Sequence, residues 1–70
     1  MKKVSYYSVL WYTEYDEEKD QPVGDFEEKE FPTRQSALRF YDRHKKDTDK
    51  FAWWVSSRDE EGFVIKDYIY

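Results

Sequence analysis

Phe31-Pro32-Thr33-Arg34-Gln35-Ser36-Ala37-Leu38-Arg39-Phe40-Tyr41-Asp42-Arg43-His44-Lys45-Lys46 is the stretch whose reading decides the fold. Pro32 stops whatever strand precedes it, and Thr33 is a helix cap whose hydroxyl can accept from the amide of Gln35 or Ser36. Ala37, Phe40, Tyr41 and His44, with Leu38 at the margin, recur at helical spacing along one stripe. Lys45 and Lys46 fall in the last turn, where the negative end of the helix dipole favours them. The spacing predicts one amphipathic helix from about Arg34 to Lys46.

Outward from that helix, both flanks read as hairpins. Upstream, the even positions are Val4, Tyr6, Ser8, Leu10 and Tyr12, and the odd ones Ser5, Tyr7, Val9, Trp11 and Thr13. Both sets favour a pleated strand with two semi-buried faces, predicted from Lys3 to Tyr15. Asp16 to Gly24 has the composition of a connection. Asp25 to Phe31 resumes alternation with Glu27, Glu28 and Glu30, charges that suit an edge strand. Downstream, Asp47-Thr48-Asp49 breaks the chain, and Phe51–Arg58 and Phe63–Ile69 form two more strands around Asp59-Glu60-Glu61-Gly62. Gly62 can take a positive φ there, and this second hairpin is expected to be the tighter.

The order strand, strand, helix, strand, strand predicts a single α+β domain over residues 1–70: ββαββ, a four-stranded antiparallel sheet of order 2-1-3-4 with the helix on one face. An order of 2-1-4-3, with a parallel central pair, is the second arrangement the pattern permits.

Phe31 lies just before the helix and should turn beneath it. If the odd positions of strand one share that side, the helix covers Tyr7, Val9 and Trp11, then Phe51, Trp53 and Val55, then Phe63 and Ile65. The opposite face then carries Tyr6, Leu10, Tyr12, Trp54, Lys66, Tyr68 and Tyr70, with Ser8 and Ser56 between them. Tyrosines would dominate it. A single bulge would invert the residue list, because side chains alternate with period two.

Three Trp, seven Tyr and five Phe in 70 residues are more ring surface than one short helix can cover. The exposed remainder is expected to be a contact surface for a macromolecule. Charge is just as uneven. Glu14 to Glu30 holds nine acidic and two basic residues, whereas Phe31 to Lys50 holds six basic and three acidic, within a net charge of −4. Glu14, Asp16, Glu17, Glu18, Asp20, Glu28 and Glu30 are the candidates for meeting a basic groove on a partner protein.

Catalytic chemistry finds little to stand on. There is no Cys, and His44 is the sole histidine, so neither a zinc site nor a Ser/His or Cys/His pair is expected. The paired glutamates lie in turns beside cations, where a carboxylate stays solvated. Asp47-Thr48-Asp49 begins like a calcium loop but lacks its later ligands and glycine. Gly24 and Gly62 are the only glycines, which leaves no phosphate loop. The reading is a non-enzyme without cofactor. With no Cys there is no disulfide framework, so the reducing cytoplasm is the expected compartment; the start of the chain is too polar for a signal-peptide core and no run suits a membrane helix.

The opening Tyr/Val/Trp strand, the run Phe31-Pro32-Thr33 before Ala37 and Phe40, and the terminal aromatic hairpin together give a pattern that resembles the small acidic ββαββ proteins of bacteriophages and prophages. The likeness spans nearly all 70 residues. It implies a protein that attaches to a host protein, in some cases countering host defence. The row of carboxylates, which can meet Lys and Arg as phosphates do, makes a nucleic-acid-handling host protein one candidate partner. Two other readings stand beside it: a nucleic-acid-binding sheet with the basic helix, and a homodimer or larger homo-oligomer whose outer faces pack together. A negative net charge weighs against direct nucleic-acid binding.

Overall fold

The computed structural model describes residues 3–69, in the element order β1 (Tyr6–Asp16), β2 (Gln21–Phe31), α1 (Arg34–His44), β3 (Phe51–Arg58), β4 (Val64–Ile69). The four strands form one antiparallel sheet of order β2-β1-β3-β4. The α+β ββαββ arrangement with order 2-1-3-4 is therefore the fold, and β1 and β3 are its two central strands.

Thr33 starts α1 as its sequence predicts. Its hydroxyl accepts from the Ser36 amide at 3.1 Å, while the Ser36 hydroxyl lies 3.3 Å from the Thr33 amide. That reciprocal box satisfies two amides the first turn would otherwise leave bare. The last turn ends at His44 rather than Lys46, closed by the Lys45 amide on the Tyr41 carbonyl at 2.7 Å.

The first hairpin is longer in strand and tighter in turn than its composition suggests. β2 begins at Gln21, not Asp25, so only residues 17–20 connect it to β1. Asp16 Oδ1 accepts from the amides of Glu18 and Lys19 at 3.0 and 3.2 Å, and Asp20 takes a left-handed φ of 53°. Pro22 is tolerated because β2 is an edge strand and does not need every amide. The second hairpin connects through residues 59–63, so it is not the tighter of the two. Gly62 does adopt a positive φ of 90°, and Asp59 Oδ1 holds the amides of Glu61 and Phe63 at 3.0 Å.

β1 pairs with β3 no further than Tyr12 opposite Phe51. Beyond that point β1 and β2 continue as a two-stranded ribbon that projects from the sheet, which gives the molecule its 42 × 22 × 15 Å shape. A bulge at Gly24 and Asp25, opposite Thr13, lies at its base. Gly24 has φ +80° there, a conformation open to a residue without Cβ.

The core is small. Val9, Ala37, Trp53 and Val55 are buried between α1 and the sheet, ringed by Tyr7, Trp11, Phe31, Leu38, Phe40, Tyr41 and Tyr68. Trp11 contacts Trp53 at 5.2 Å and Phe40 at 5.6 Å between ring centres, and Phe31 meets Phe40 at 5.3 Å. The odd set of β1 therefore does lie under the helix. α1 packs on β1, β2 and β3, and reaches β4 through Arg34, whose guanidinium carbon stands 5.2 Å from the Tyr68 ring centre.

The last strand departs from the predicted faces. A bulge sets Arg58 opposite Val64 but Ser57 opposite Lys66, so Ile65 is an extra residue and the parity of β4 inverts. Tyr68, opposite Val55, and Lys66, opposite Ser57, thus stand on the helix side and not on the outer face. Phe63 and Ile65, expected in the core, are exposed, Phe63 by 63%. Phe51 packs on Tyr15 at 5.4 Å, outside the buried cluster.

Candidate functional site

The face of the sheet away from α1 carries Tyr6, Ser8, Leu10 and Tyr12 of β1, Phe26, Glu28 and Glu30 of β2, Trp54, Ser56 and Arg58 of β3, and Asp67 and Ile69 of β4. Cross-strand register sets them in rows: Glu30, Ser8, Ser56, Asp67; then Glu28, Leu10, Trp54, Ile69; then Phe26, Tyr12 and, past a bulge in β3, Phe51. No further element of the described residues lies across this face.

Its two ends differ in chemistry. At the end nearer the ribbon, Tyr12, Phe26 and Trp54 form a triangle of rings with centres 5.5 to 6.1 Å apart, two of its three contacts edge-on. Such tilted contacts suit the ring quadrupoles and hold each side chain in place. Phe26 remains 53% exposed and Ile69 81%. Leu10 is 1% exposed beside the triangle although nothing but neighbouring side chains covers it. Between Tyr12, Ala52, Trp53, Trp54, Asp67 and Ile69 runs a cleft of about 380 Å³.

At the other end the face is polar. Arg58 lies along it, opposite Tyr6 in the register, with Nη1 donating to the Gly62 carbonyl at 3.0 Å and Nη2 to Glu28 at 2.9 Å. To reach Glu28 from β3 the guanidinium must pass over β1 near Ser8. Ser8 and Ser56, in the row beside it, are 0% and 1% exposed on a face without a second layer. The Ser56 hydroxyl donates to Asp67. Tyrosines therefore do not dominate this face: Tyr6 and Tyr12 lie on it, Tyr68 does not, and Tyr70 falls outside the described residues.

The seven carboxylates singled out in the sequence separate into three groups. Asp16 and Asp20 hold the hairpin turn, Asp20 by accepting from the Tyr15 hydroxyl, which raises the Tyr15 pKa above its usual value. Glu17 and Glu18 stand exposed at the tip. Glu14 faces Gly24 in the ribbon, while Glu28 and Glu30 border the outer sheet face. Across residues 13–25 the ribbon carries six carboxylates and one lysine. An acidic finger thus continues from an aromatic patch.

Phe26, Asp67, Ile69 and Arg58 are the site residues that the sequence reading passed over. Phe26 was accessible to it, since Phe31 under the helix forces Phe26, Glu28 and Glu30 outward by alternation. Asp67 and Ile69 were hidden by the β4 bulge.

His44 stacks on Phe40 at 4.5 Å, and its Nδ1 meets Asp47 at 2.8 Å, with Lys50 on the same carboxylate at 3.1 Å. His44 and Lys50 together hold the Asp47 carboxyl below its ordinary pKa. The arrangement locks the exit of α1. No three His, Cys, Asp or Glu side chains among the described residues come together as a metal site, and no described helix is long and apolar enough to cross a membrane. The chain matches no protein-family model, no curated protein and no solved structure.

Proposed function

We propose that this chain is a small non-catalytic protein-binding module whose partner presents a basic, partly apolar surface. The observation that carries the reading is the ring triangle Tyr12, Phe26 and Trp54, left uncovered by the fold and bordered by carboxylates. Exposed aromatic groups held rigidly lose little entropy on contact, which is why they supply much of the energy at protein interfaces. Glu30 and the ribbon carboxylates would meet Lys and Arg of the partner, steering the encounter and excluding acidic competitors. Cationic side chains could also settle on the ring faces.

The resemblance to phage-encoded ββαββ proteins adds a biological role: an inhibitor of a host protein, with a nucleic-acid-handling protein supplying the basic groove in the host cytoplasm. The same carboxylates argue against nucleic acid on this face, because phosphates would meet Glu28, Glu30 and Asp67 across the rings. Arg34, Arg39 and Arg43 belong to α1, on the other side of the sheet.

Affinity capture from the native host, with nuclease present, tests the reading. Wild-type protein should retain a basic partner whose recovery falls as salt rises. Phe26→Ala with Trp54→Ala should lose it, and Glu17→Gln with Glu18→Gln should weaken it. Equal recovery by wild type and both variants, or loss of all bound material on nuclease treatment, would overturn the reading.

A further inference from the structure

The two edges of the sheet are treated differently by the sequence. β2 carries Asp25, Glu27, Glu28, Lys29 and Glu30 together with Pro22 and a bulge at Gly24, all devices that discourage another strand from pairing there. β4 reads Val64-Ile65-Lys66-Asp67-Tyr68-Ile69, with no Pro or Gly and with its one cation and one anion adjacent. Val64, Ile65 and Ile69 are 48, 37 and 81% exposed. Half of the backbone amides and carbonyls of such an edge point away from the sheet, unpaired.

A partner strand of the same sequence fits that edge in a definite register. Two copies paired antiparallel are related by an axis perpendicular to the sheet, so opposed residues must share a face and the axis must pass through a residue. With the axis at Lys66, two ammonium groups oppose each other and Ile65 meets Asp67, an unfavourable set. At Asp67, Ile65 meets Ile69 and Lys66 meets Tyr68, each twice. Lys66 already lies 5.1 Å from the ring centre of its own Tyr68, so the same cation and ring chemistry is available across the axis. The two Asp67 carboxylates that approach at the axis are each turned inward to Ser56. Packing outer face on outer face, by contrast, would set Glu28, Glu30 and Asp67 of one copy against those of the other.

We propose that two copies of this chain pair through β4 about a two-fold axis at Asp67, forming one continuous eight-stranded sheet with both helices on the same side. The pairing leaves the ring triangle and acidic ribbon free, while Asp67 and Ile69, which border the cleft, lie at the seam.

The chain contains no Cys, which makes a single introduced thiol a direct probe of the axis. Opposed residues in an antiparallel pair have Cα atoms roughly 4.5 to 5.5 Å apart, inside the roughly 4.4 to 6.8 Å range a disulfide spans. Under mild oxidation Asp67→Cys should give a covalent dimer, and Lys66→Cys, which meets Tyr68 instead of itself, should not. Sedimentation of the unaltered protein over a range of concentrations should show a monomer–dimer equilibrium, weakened about tenfold or more by Ile69→Lys, a loss of roughly 1.4 kcal/mol. Circular dichroism of each variant checks that the monomer is folded, and Ile69 is exposed enough that its replacement leaves the core intact. A monomer at every concentration overturns the proposal, as does stronger cross-linking at Lys66→Cys than at Asp67→Cys.

Discussion

Replacing Arg58 with alanine removes a side chain that ties β3 to β2 and to the β3–β4 connection on the uncovered face. Nη1 makes a charged hydrogen bond to the Gly62 carbonyl at 3.0 Å, and Nη2 pairs with Glu28 at 2.9 Å. A hydrogen bond to a charged group contributes about 1.5 to 3 kcal/mol. The Glu28 side chain is 37% exposed, so solvent screening holds the ion pair to about 0 to 1 kcal/mol. Loss of the stem also removes the packing of its methylenes along the sheet. Together these give a loss of about 2 to 3 kcal/mol, or about 10 to 20 °C in Tm for a domain of this size. Arg58→Lys can satisfy only one of the two acceptors and should fall about halfway, since an ammonium lacks the fork that reaches both. Thermal unfolding followed by circular dichroism, with Glu28→Gln and the double variant, separates the terms: the coupling between Arg58 and Glu28 should be at most about 1 kcal/mol. An Arg58→Ala protein within about 3 °C of wild type would refute the strap.

Leu10→Ala should cost about 2 to 4 kcal/mol in chemical denaturation, as a core position does, even though Leu10 faces away from the helix; a loss below about 1 kcal/mol would mean that its neighbours do not enclose it. The Ser8 hydroxyl is buried without a hydrogen-bond partner among the described residues, so Ser8→Ala should be neutral or stabilise by up to about 1 kcal/mol on the same assay. Thr33→Ala removes the helix cap and should cost about 1 kcal/mol, with Thr33→Ser largely restoring it. The Asp47 carboxyl is held below its unfolded value by His44 and Lys50. Its stabilisation is therefore complete above the ordinary carboxylate pKa of about 4 and is lost as pH falls through the lower, folded one. Acid titration followed by unfolding should show that loss shrink in Asp47→Asn, and an unchanged acid limb would rule the contact out.

Much of this molecule follows from local chemistry in its sequence. Pro32 and Thr33 fix where the helix begins because a missing amide and a side-chain acceptor act on adjacent residues. Alternation in β1 sends Val9 and Trp11 under the helix and Leu10 and Tyr12 outward, and the excess of rings over what one helix covers leaves an aromatic patch exposed. Other features needed the folded chain. The bulge that inverts β4, moving Tyr68 and Lys66 to the helix side and Asp67 and Ile69 to the outer one, arises from fitting Arg58 opposite Val64 while Ser57 meets Lys66. The strap from Arg58 to Glu28 joins residues far apart in sequence, and the ribbon projects because β3 ends its pairing at Tyr12. A period-two pattern specifies a side chain's face only up to the next inserted residue. Where such an insertion falls is decided by packing between strands, so the composition of the exposed face was legible in the sequence, but its membership in β4 and its polar end were settled by tertiary contacts.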